Sequence, residues 1–553
     1  MKAKEKYNEW INNPQIDDDT KKRLENMSAG EIENNFSIEL EFGTGGLRGV
    51  MDAGTNRMNI YTVRKATQGL ANEITDAGTA AMNDGVVIAY DSRNNSRLFA
   101  LETANVLCAN GIKTYLFESL RPSPELSFAV RYLKCCRGIV ITASHNPKEY
   151  NGYKVYGEDG GQIPPETANK IIKYIDSIDI FNDVRLNGEM NPILIGSEVD
   201  DAYIDAIQKQ SFGVCIPDDF RVVYTPIHGS GNIPVQKILN RIGIKNLFVV
   251  PEQELPNGDF PTVNSPNPEN PEAFTLAIQY AKELKADLIF GTDPDSDRIG
   301  VVVKNSDGKY IVLNGNQTGV LLCEYILRKC TENGSLPKNA TVIKTIVTTD
   351  MIKAIAEDYG ADVIDVLTGF KYIGEQIKLL EKSNHKERFT FGLEESYGYL
   401  RGTHSRDKDA VVAAMLIAEM AAEYKQYGKN LYDVLVSIYE KYGYCLETLE
   451  TRTLDGIEGV RKIQKLMEHF RNNDLPLPIK EKIDYKTGVN NLPKSDVLKF
   501  ILDNAWFAVR PSGTEPKIKF YFGVVANSNI EVQKRIDILQ KTVLELCDKL
   551  LNT

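Results

Sequence analysis

The chain is 553 residues long, too long for one hydrophobic core, and its length predicts roughly three to five domains. Lys and Arg total 65 against 76 Asp and Glu, and the resulting net charge of −11 argues against binding of duplex nucleic acid, which needs a surplus of cations. With 42% hydrophobic and 25% charged residues, the composition is that of a folded globular protein and excludes a disordered chain.

Its apolar runs and its cysteines point to the cytoplasm. The first ten residues are polar and lack the apolar stretch of a signal peptide. The longest strongly apolar run, residues 410–418, is far shorter than the roughly 20 residues that span a bilayer, so we expect no membrane partner. Eight cysteines without a CxxC pair predict reduced thiols and not disulfides or a zinc site.

Short runs rich in β-branched residues recur along the chain, and each is followed by a polar turn and a helix-like stretch. They are residues 86–89 before DSRNNS, 138–142 before TASHNP, 222–224 before TPIHGSG, 288–290 before GTDPDSDR and 341–347 before TTDMIKAIAEDYG. Strands that alternate with helices predict α/β units around mostly parallel sheets. In such sheets ligands bind at the loops that leave the carboxyl ends of the strands.

The last hundred residues follow a different pattern. Residues 506–509 lead into a Pro-Ser-Gly-Thr turn, then an alternating strand at 517–525 and a helix at 529–551, which predicts an α+β domain. The loop at 472–478 is compatible with a hinge. We expect four domains, at residues 1–205, 206–318, 319–447 and 448–553.

The TASHNP motif (residues 142–147) places Ser144 on a loop that leaves a strand, beside His145. One reading is a turn that uses Ser, Asn and Pro for their backbone preferences. A Ser–His hydrolase is a weaker reading, because there is no GxSxG elbow and adjacent residues rarely form a nucleophile–base hydrogen bond. A third interpretation is that Ser144 is a nucleophile for group transfer.

The DPDSDR motif (residues 293–298) alternates three carboxylates, Asp293, Asp295 and Asp297. Like charges this close repel unless a cation neutralises them, and hard oxygen ligands select Mg²⁺ or Ca²⁺ over zinc. A solvated turn remains an alternative. If Ser144 accepts a phosphoryl group, it supplies a further oxygen ligand, and the two loops together predict metal-assisted phosphoryl transfer.

Two more motifs carry polar groups suited to a phosphosugar. RPSGTEP (residues 510–516) combines a cation, two hydroxyls and a glycine N–H in a compact phosphate cradle, unless it is an ordinary turn. GLEESYG (residues 392–398) follows a strand at 389–391, and its acceptors suit adjacent sugar hydroxyls, although an acidic loop would look the same.

These four motifs, in this order, resemble the α-D-phosphohexomutase superfamily, most closely its long phosphoglucomutase branch. GTGGLRG (residues 43–49) supports the resemblance, which covers nearly the whole chain. It implies four domains around one cleft, three α/β domains with mixed or parallel sheets and a C-terminal α+β domain. The fourth domain is expected to close over the cleft and exclude water.

The resemblance also implies a role for each motif residue. Ser144 resembles the phosphoserine, with His145 beside it, and Arg48 and Lys154 match positions that assist proton transfer or charge stabilisation. The implied Mg²⁺ ligands are Ser144, Asp293, Asp295 and Asp297. The implied substrate contacts are Arg298, Thr368, Gly369, Lys371, Glu394, Ser396, Lys408, Arg510, Ser512, Gly513 and Thr514.

The activity implied is the interconversion of glucose 1-phosphate and glucose 6-phosphate through glucose 1,6-bisphosphate. Phosphomannomutases of the superfamily carry a His just after their Glu-x-Ser segment, where this chain has Gly398, which favours glucose over mannose. His404 could take over part of that role, but a surface loop His is the simpler expectation. Phosphomannomutase, phosphopentomutase, a metal-dependent phosphatase and a non-catalytic phosphosugar-binding protein stay as alternatives.

Overall fold

The computed structural model describes residues 2–43, 45–454, 456–489, 492–512 and 517–551. Four β-sheets of six, five, four and five strands follow one another along this part of the chain. The first three are mixed sheets flanked by helices, and the fourth is antiparallel throughout, with two long helices in the same segment. The expected fold class, three α/β units followed by an α+β unit, is therefore confirmed.

The first segment is built on a sheet of strand order β1-β5-β4-β2-β3-β6, in which the last four strands are parallel. β2 is buried along its whole length, as a central strand with helices on both faces should be. The elements are α1 (Lys2–Asn12), α2 (Asp18–Glu25), α3 (Ala29–Phe36), β1 (Gly46–Val50), α4 (Ile60–Asp76), α5 (Thr79–Asp84), β2 (Val86–Tyr90), α6 (Ser96–Ala109), β3 (Thr114–Phe117), α7 (Ser123–Tyr132), β4 (Arg137–Ile141), β5 (Tyr150–Gly157), α8 (Pro165–Ser177), β6 (Ile193–Ile195) and α9 (Ser197–Gln208).

The second segment has the strand order β11-β10-β9-β7-β8, with β9, β7 and β8 parallel. β9 and β10 form an antiparallel hairpin, and its turn is the acidic motif. The elements are β7 (Arg221–Thr225), α10 (Asn232–Arg241), β8 (Asn246–Val249), α11 (Pro251–Glu254), a 3₁₀ turn (Pro271–Phe274), α12 (Thr275–Leu284), β9 (Leu288–Thr292), β10 (Ile299–Lys304) and β11 (Tyr310–Leu313).

The third segment has the strand order β13-β12-β14-β15, and only the β14–β15 hairpin is antiparallel. The GLEESYG motif forms this hairpin. The elements are α13 (Gly315–Glu332), β12 (Thr341–Thr345), α14 (Met351–Asp358), β13 (Asp362–Val366), α15 (Phe370–Lys382), a 3₁₀ turn (Lys386–Arg388), β14 (Phe389–Glu394), β15 (Gly398–Leu400), α16 (Ala410–Gln426) and α17 (Leu431–Tyr442).

The apolar run at 410–418 begins α16, a helix that is buried on all sides over most of its length. It packs against α10, β9 and β10 of the second segment as well as against α13 and α17 of its own. One continuous core therefore joins these two segments. None of the helices in the described ranges combines the length and the apolar character needed to cross a lipid bilayer.

The fourth segment is a five-stranded antiparallel sheet of order β16-β20-β19-β18-β17, covered by α18 and α19. β16 pairs with β20 over ten residues. The elements are β16 (Tyr444–Thr453), α18 (Gly456–Asn472), β17 (Glu481–Asp484), a 3₁₀ turn (Tyr485–Thr487), β18 (Leu498–Leu502), β19 (Ala505–Pro511), β20 (Lys517–Ala526) and α19 (Asn529–Leu551).

The third and fourth segments are connected at Gly443, which has φ +99° between α17 and β16. A second link is Lys499 of β18, whose Nζ donates a hydrogen bond to the Ile346 carbonyl at 2.7 Å and lies 4.5 Å from the centre of the Trp506 ring. The loop at 472–478 lies inside the fourth segment, between α18 and β17, so it cannot be the hinge. That expectation is wrong because α18 belongs to the fourth core.

The expected domain boundaries remain predictions. Positions 205, 318 and 447 fall within α9, α13 and β16, respectively, and not in loops.

Candidate active site

Ser144 lies on the turn after β4 in an unusual backbone conformation. Its φ is +51°, in the left-handed region that residues other than glycine rarely adopt. Thr142 Oγ1 accepts a hydrogen bond from the Ser144 N–H at 2.8 Å and donates one to Asp91 Oδ2 at 2.6 Å, which ties the turn to the end of β2. Strain of this kind costs about 1–3 kcal/mol and is retained mostly at functional sites, where surrounding contacts hold it.

The Ser144 side chain is buried and faces the acidic motif of the second segment. Its Oγ donates a hydrogen bond to Asp293 Oδ2 at 2.7 Å and lies 3.1 Å from His145 Nδ1. The sequence argued against contact between these two neighbours. The left-handed turn brings their side chains together, so proximity alone does not identify His145 as the base.

Arg93 shapes this turn, and sequence reasoning gave it no role. Its guanidinium donates hydrogen bonds to four carbonyl oxygens of the loop, those of Ser144, Asn146, Pro147 (2.9 Å) and Tyr150 (3.2 Å). A planar fork of five donors suits such a set of acceptors. The available signal was DSRNNS at a strand exit, but only the fold shows which loop the arginine contacts.

Asp293, Asp295 and Asp297 form a compact cluster. One carboxylate oxygen from each lies within 4.8 Å of the other two, and all three residues are buried. Asp295 Oδ1 and Asp297 Oδ1 have no hydrogen-bond partner. A buried carboxylate oxygen without a hydrogen bond raises the free energy of the folded state. A hard divalent cation bound to these two oxygens would offset that cost. The donor set therefore fits Mg²⁺ or Ca²⁺, with Ser144 placed beside it.

The three carboxylates differ in how strongly they hold protons. Burial raises the pKa of Asp293 well above its ordinary value, and repulsion from Asp295 and Asp297 adds to the effect. Burial and the charge of Asp295 also raise the pKa of Asp297. Burial opposes ionisation of Asp295 too, but the Lys154 ammonium outweighs it and holds that pKa below its ordinary value. The cluster is therefore a strongly perturbed group of the kind found at functional sites.

Two lysines from different segments contact the cluster. Lys154 Nζ of β5 lies 2.9 Å from Asp295 Oδ2, and Lys408 Nζ, on the loop before α16, lies 2.9 Å from Asp297 Oδ2. Arg298 approaches from the cluster's own loop, with Nε 3.9 Å from Asp297 Oδ1. These three cations, all expected from the sequence, lie beside Asp295 or Asp297 of the acidic cluster.

Arg48 and His145 border the same turn. β1 pairs antiparallel with β5, which places Arg48 opposite Gly152, and its Nη1 donates a hydrogen bond to Asn146 Oδ1 at 3.3 Å. Burial and the nearby charges of Arg298 and Arg48 hold the pKa of His145 well below its ordinary value. The imidazole is therefore neutral near pH 7 and adds no cation to the site.

The two glutamates of the GLEESYG motif have different hydrogen-bond partners. Glu394, at the end of β14, is buried and accepts a hydrogen bond from the Gly369 N–H at 2.7 Å. Burial raises its pKa to about 7. Glu395 Oε2 instead accepts hydrogen bonds from Thr345 Oγ1 (2.9 Å) and Thr348 Oγ1 (3.2 Å). The structure thus separates two glutamates that the sequence presents side by side.

The other residues of the third segment that the sequence predicts as substrate contacts lie on the loop after β14 and at the start of α15. Ser396 is half-buried in the turn between β14 and β15. Thr368 and Gly369 immediately precede α15, and Lys371 lies in its first turn. Burial and the charge of Arg510 lower the pKa of Lys371, so the cationic edge of the fourth segment reaches this loop.

The structure describes only the first three residues of the RPSGTEP motif, which the sequence predicts to be a phosphate cradle. Arg510 is the sixth residue of β19 and pairs in register with Lys519 of β20. Ser512 follows β19, with its N–H hydrogen-bonded to the carbonyl of Lys517 at 2.7 Å. Gly513 and Thr514 lie outside the described residues. The sequence indicated no role for Lys519, and the strand register places it beside Arg510.

A further group holds Lys408 in place, and sequence reasoning did not find it. Asp407 Oδ2 accepts hydrogen bonds from Tyr156 Oη at 2.7 Å and Gln162 Nε2 at 3.1 Å, and its Oδ1 lies 3.3 Å from Lys408 Nζ. Tyr156 and Gln162 belong to the first segment, so the first and third segments meet at this carboxylate. Tyr156 and Asp407 are 251 residues apart, so no local sequence pattern indicated this contact.

The expectation that His404 lies at the surface is wrong. Its side chain is only 5% exposed, and Nε2 lies 2.8 Å from Asp409 Oδ2. Tyr203 of α9 donates to the other oxygen of Asp409 at 3.0 Å. His404 is buried because Asp409 caps the buried helix α16 and the loop before it packs against α9.

Side chains of the first three segments thus meet at the acidic cluster beside Ser144, and Arg510 of the fourth segment lies close enough to Lys371 to lower its pKa. This combination of four successive sheets and a serine beside three aspartates is that of the α-D-phosphohexomutase class. Comparison with known families gives the same result. The four domain descriptions of phosphoglucomutase/phosphomannomutase match in order: domains I, II and III, each described as alpha/beta/alpha, at residues 39–180, 201–308 and 314–442, and the C-terminal domain at 452–531. The chain belongs to the phosphoglucomutase/phosphomannomutase family.

Similar proteins extend over nearly the same length. A protein of Staphylococcus haemolyticus named phosphoglucomutase is 37% identical over 526 residues, which are 91% of this chain and 94% of that protein. A phosphoglucomutase of Staphylococcus aureus strain MSSA476 is 37% identical over 537 residues, 93% of this chain and 95% of its own. The similarity therefore includes all four segments.

Solved structures share the fold at lower identity. A phosphoglucomutase/phosphomannomutase family protein of Burkholderia thailandensis has a TM-score of 0.68 and 19% identity, covering 92% of this chain and 97% of that one. The open form of the Paramecium phosphoglucomutase parafusin has a TM-score of 0.68 and 18% identity, covering 92% and 95%. These likenesses concern the fold alone.

Proposed function

We propose that the protein is a phosphoglucomutase that interconverts α-D-glucose 1-phosphate and glucose 6-phosphate through a phosphoserine at position 144 and glucose 1,6-bisphosphate. One observation carries the proposal: Ser144 Oγ donates a hydrogen bond to Asp293 within the acidic cluster. Relatives named phosphoglucomutase, 37% identical over more than nine-tenths of the chain, support the choice of reaction.

Transfer through serine avoids a direct migration between two distant hydroxyls of one sugar. In the first half, the bond between Ser144 Oγ and phosphorus breaks as sugar O6 bonds to the phosphoryl group, and the O6 proton passes to a base of the site. In the second half, the reoriented bisphosphate returns the O1 phosphoryl group to Ser144 Oγ, and O1 regains a proton. Bisphosphate that escapes must be replaced, so glucose 1,6-bisphosphate is an activator.

Asp293, Asp295 and Asp297 are the residues that would hold Mg²⁺, together with an oxygen on Ser144. When bound there, the ion would draw negative charge from the transferring phosphoryl group. The free oxygens of Asp295 and Asp297 support this assignment. A similar fold has been solved in complex with GlcNAc-6P and magnesium. It is the N-acetylphosphoglucosamine mutase of Aspergillus fumigatus, with a TM-score of 0.50 and 13% identity to this chain.

Cations of the chain would stabilise the remaining charge. Lys154, Lys408 and Arg298 already lie beside the aspartates and would face the phosphoryl group from separate sides. Arg48, hydrogen-bonded to the serine turn, and Lys154 are the candidates for moving the hydroxyl proton. We assign the neutral His145 a supporting contact with Ser144 Oγ.

The sugar would be read by the third segment. Glu394 and Ser396 would accept and donate hydrogen bonds to ring hydroxyls in both orientations, next to Thr368, Gly369 and Lys371. We propose glucose over mannose because this chain has Gly398 where a histidine is expected in phosphomannomutases; a Cβ at this position would lie 2.1 Å from Lys408 Cδ, so a larger residue would displace the lysine.

The fourth segment would hold the phosphate that is not being transferred, through Arg510, Ser512, Gly513 and Thr514. We propose the four segments as the domains, with the fourth closing over the site about Gly443 and excluding water, the competing nucleophile. Eight free cysteines, seven of them buried, are consistent with a reducing compartment such as the cytoplasm.

A set of coupled assays tests the proposal. The purified chain, primed with glucose 1,6-bisphosphate and Mg²⁺, should convert glucose 1-phosphate to glucose 6-phosphate. Initial rates with mannose, ribose and deoxyribose 1-phosphates should be lower. Faster turnover of one of these sugars would make the protein a mutase of that sugar. Release of inorganic phosphate would indicate a phosphatase, and binding without turnover would indicate a phosphosugar-binding protein.

A further inference from the structure

The TPIHGSG loop, residues 225–231, follows β7 and has no part in the chemistry above. Two of its consecutive residues adopt left-handed backbone conformations, Ile227 with φ +46° and His228 with φ +59°. For a β-branched residue this is a real outlier, and a backbone in this region is strained. Something in the fold must hold the loop in this form.

His228 supplies that restraint. Its N–H donates a hydrogen bond to the Gln253 carbonyl at 2.8 Å, its Nδ1 lies 3.0 Å from the Leu255 carbonyl, and its Nε2 lies 3.0 Å from Thr262 Oγ1. A carbonyl can only accept, so Nδ1 donates and Nε2 of the neutral ring accepts from the threonine. These three hydrogen bonds offset the backbone strain.

The loop is hydrogen-bonded to the backbone of the acidic motif. The Ser230 N–H and the Ser230 Oγ both donate hydrogen bonds to the Pro294 carbonyl oxygen, each at 2.8 Å. Pro294 stands between Asp293 and Asp295, so these bonds fix the peptide that carries Asp295. A Cβ on Gly229 would lie only 2.7 Å from Pro294 Cα, which shows how closely the two loops pack.

Asp295 is held from the other side by the first segment. The Ser123 N–H donates to the Asp295 carbonyl at 2.9 Å, and Ser123 Oγ donates to Asp295 Oδ2 at 2.8 Å. Both peptides that flank the Asp295 Cα are therefore restrained, one by Ser230 and one by Ser123. With its backbone held, the Asp295 carboxylate keeps its unpartnered Oδ1 in the cluster.

We propose that Ser230, presented by the strained loop at 225–231, is a positioning residue for the divalent-cation site: it anchors the Pro294 carbonyl and thereby keeps Asp293 and Asp295 in a geometry that a cation can bind. The inference rests on the proposed Mg²⁺ role of the aspartates. The two hydrogen bonds of Ser230 go to the Pro294 carbonyl and not to an aspartate carboxylate, so Ser230 would act through the peptide it holds.

The test is calorimetric titration of the full chain with Mg²⁺, for wild type, Ser230→Ala and Ser211→Ala. Ser211 is the matched control, because its hydroxyl also donates to a buried acceptor, Glu419, but far along the chain from the acidic motif. Ser230→Ala should bind Mg²⁺ about tenfold more weakly, the low end of the range for residues that support ligands, whereas Ser211→Ala should match wild type. Turnover of Ser230→Ala should recover at high Mg²⁺ with an unchanged substrate KM.

The possible outcomes distinguish a failure of the proposed metal site from a failure of the proposed role of Ser230. If wild type shows no saturable Mg²⁺ binding, the proposed metal role and this inference both fail. If wild type binds Mg²⁺ and Ser230→Ala binds it equally well, the inference alone is overturned. Should Ser230→Ala not fold by circular dichroism, Gly229→Ala decides, because it keeps the serine but pushes on Pro294. Weaker Mg²⁺ binding by that variant supports the inference, and wild-type affinity overturns it.

Discussion

Ser144 Oγ lies 2.7 Å from Asp293 Oδ2, although 149 residues separate the two positions. The serine lies on the turn after β4 of the first sheet, and the aspartate directly follows β9 of the second. The contact therefore requires the two sheets to present the exits of β4 and β9 to each other. It places a hydroxyl nucleophile at the edge of a cluster suited to a divalent cation.

Ser144→Ala should lower turnover by roughly a thousandfold or more, because no other hydroxyl occupies the position of the nucleophile. The fold should persist, since only the side-chain contacts to Asp293 and His145 are lost. Coupled assays and thermal unfolding measure the two effects. Intact-mass spectrometry should detect a phosphoryl group on the wild type during turnover and none on the variant. Substantial activity in the variant would exclude the phosphoserine.

Asp295→Ala should lose activity by at least about a hundredfold, and added Mg²⁺ should restore it only in part. The substitution removes one ligand and leaves the Lys154 ammonium without its 2.9 Å partner. Turnover as a function of Mg²⁺ concentration measures this. Asp218→Ala is a suitable control, since Asp218 forms an exposed ion pair with Lys245. Full rescue by Mg²⁺ would mean that Asp295 is not a ligand.

Arg510→Ala should raise the substrate KM by about ten- to a hundredfold, with a small effect on kcat, because a charge-assisted phosphate contact is worth roughly 1.5–3 kcal/mol. Steady-state kinetics with glucose 1-phosphate measure the two constants separately. Arg452→Ala, on the partly exposed face of β16, should match wild type. An unchanged KM with a lowered kcat would contradict the assignment of a phosphate cradle.

Arg93→Lys should lower kcat by about tenfold or more with little change in KM. Lysine keeps the positive charge but cannot donate to four carbonyl oxygens at fixed angles, so the left-handed turn at Ser144 loses its support. The extent of Ser144 phosphorylation, measured by intact mass, should fall in parallel. A variant that is phosphorylated and active like wild type would show that the turn holds itself.

Lys499 should make the free energy of unfolding depend on pH. Burial lowers its pKa from 10.5 to about 8 at the contact with Ile346. Between these values the unfolded chain binds a proton that the folded chain has released, so stability rises with pH in this window, by up to roughly 3 kcal/mol. Four further charged groups face the same amine, and both proteins compared below retain them: Asp350, Lys344, Asp365 and Lys353.

The measurement is urea unfolding of wild type and Lys499→Met at about pH 7.5 and about pH 10. The stability of wild type relative to the variant should increase by about 1–3 kcal/mol from the lower to the higher pH, since only wild type carries this group. If the difference between the two proteins does not change with pH, the amine titrates normally and the contact with Ile346 is solvated.

The sequence by itself indicated several of the central strands and the polar loops that follow them. Runs such as 86–89 and 288–290 are apolar because both faces of a central strand are covered, so they could be found without the fold. The acidic alternation of Asp293, Asp295 and Asp297 was likewise visible, because its charges lie within five residues. In each case the cause is local, and local causes can be read from neighbouring residues.

Only the tertiary structure decided which distant groups hold those loops. Arg93 contacts the Ser144 turn, and Tyr156 contacts Asp407, across 51 and 251 residues, respectively. His404 is buried although its neighbours in sequence are polar, because Asp409 and the helix it caps are buried. Hydrogen bonds of this kind depend on how the sheets pack against one another, and that packing is a property of the whole chain that no short stretch encodes.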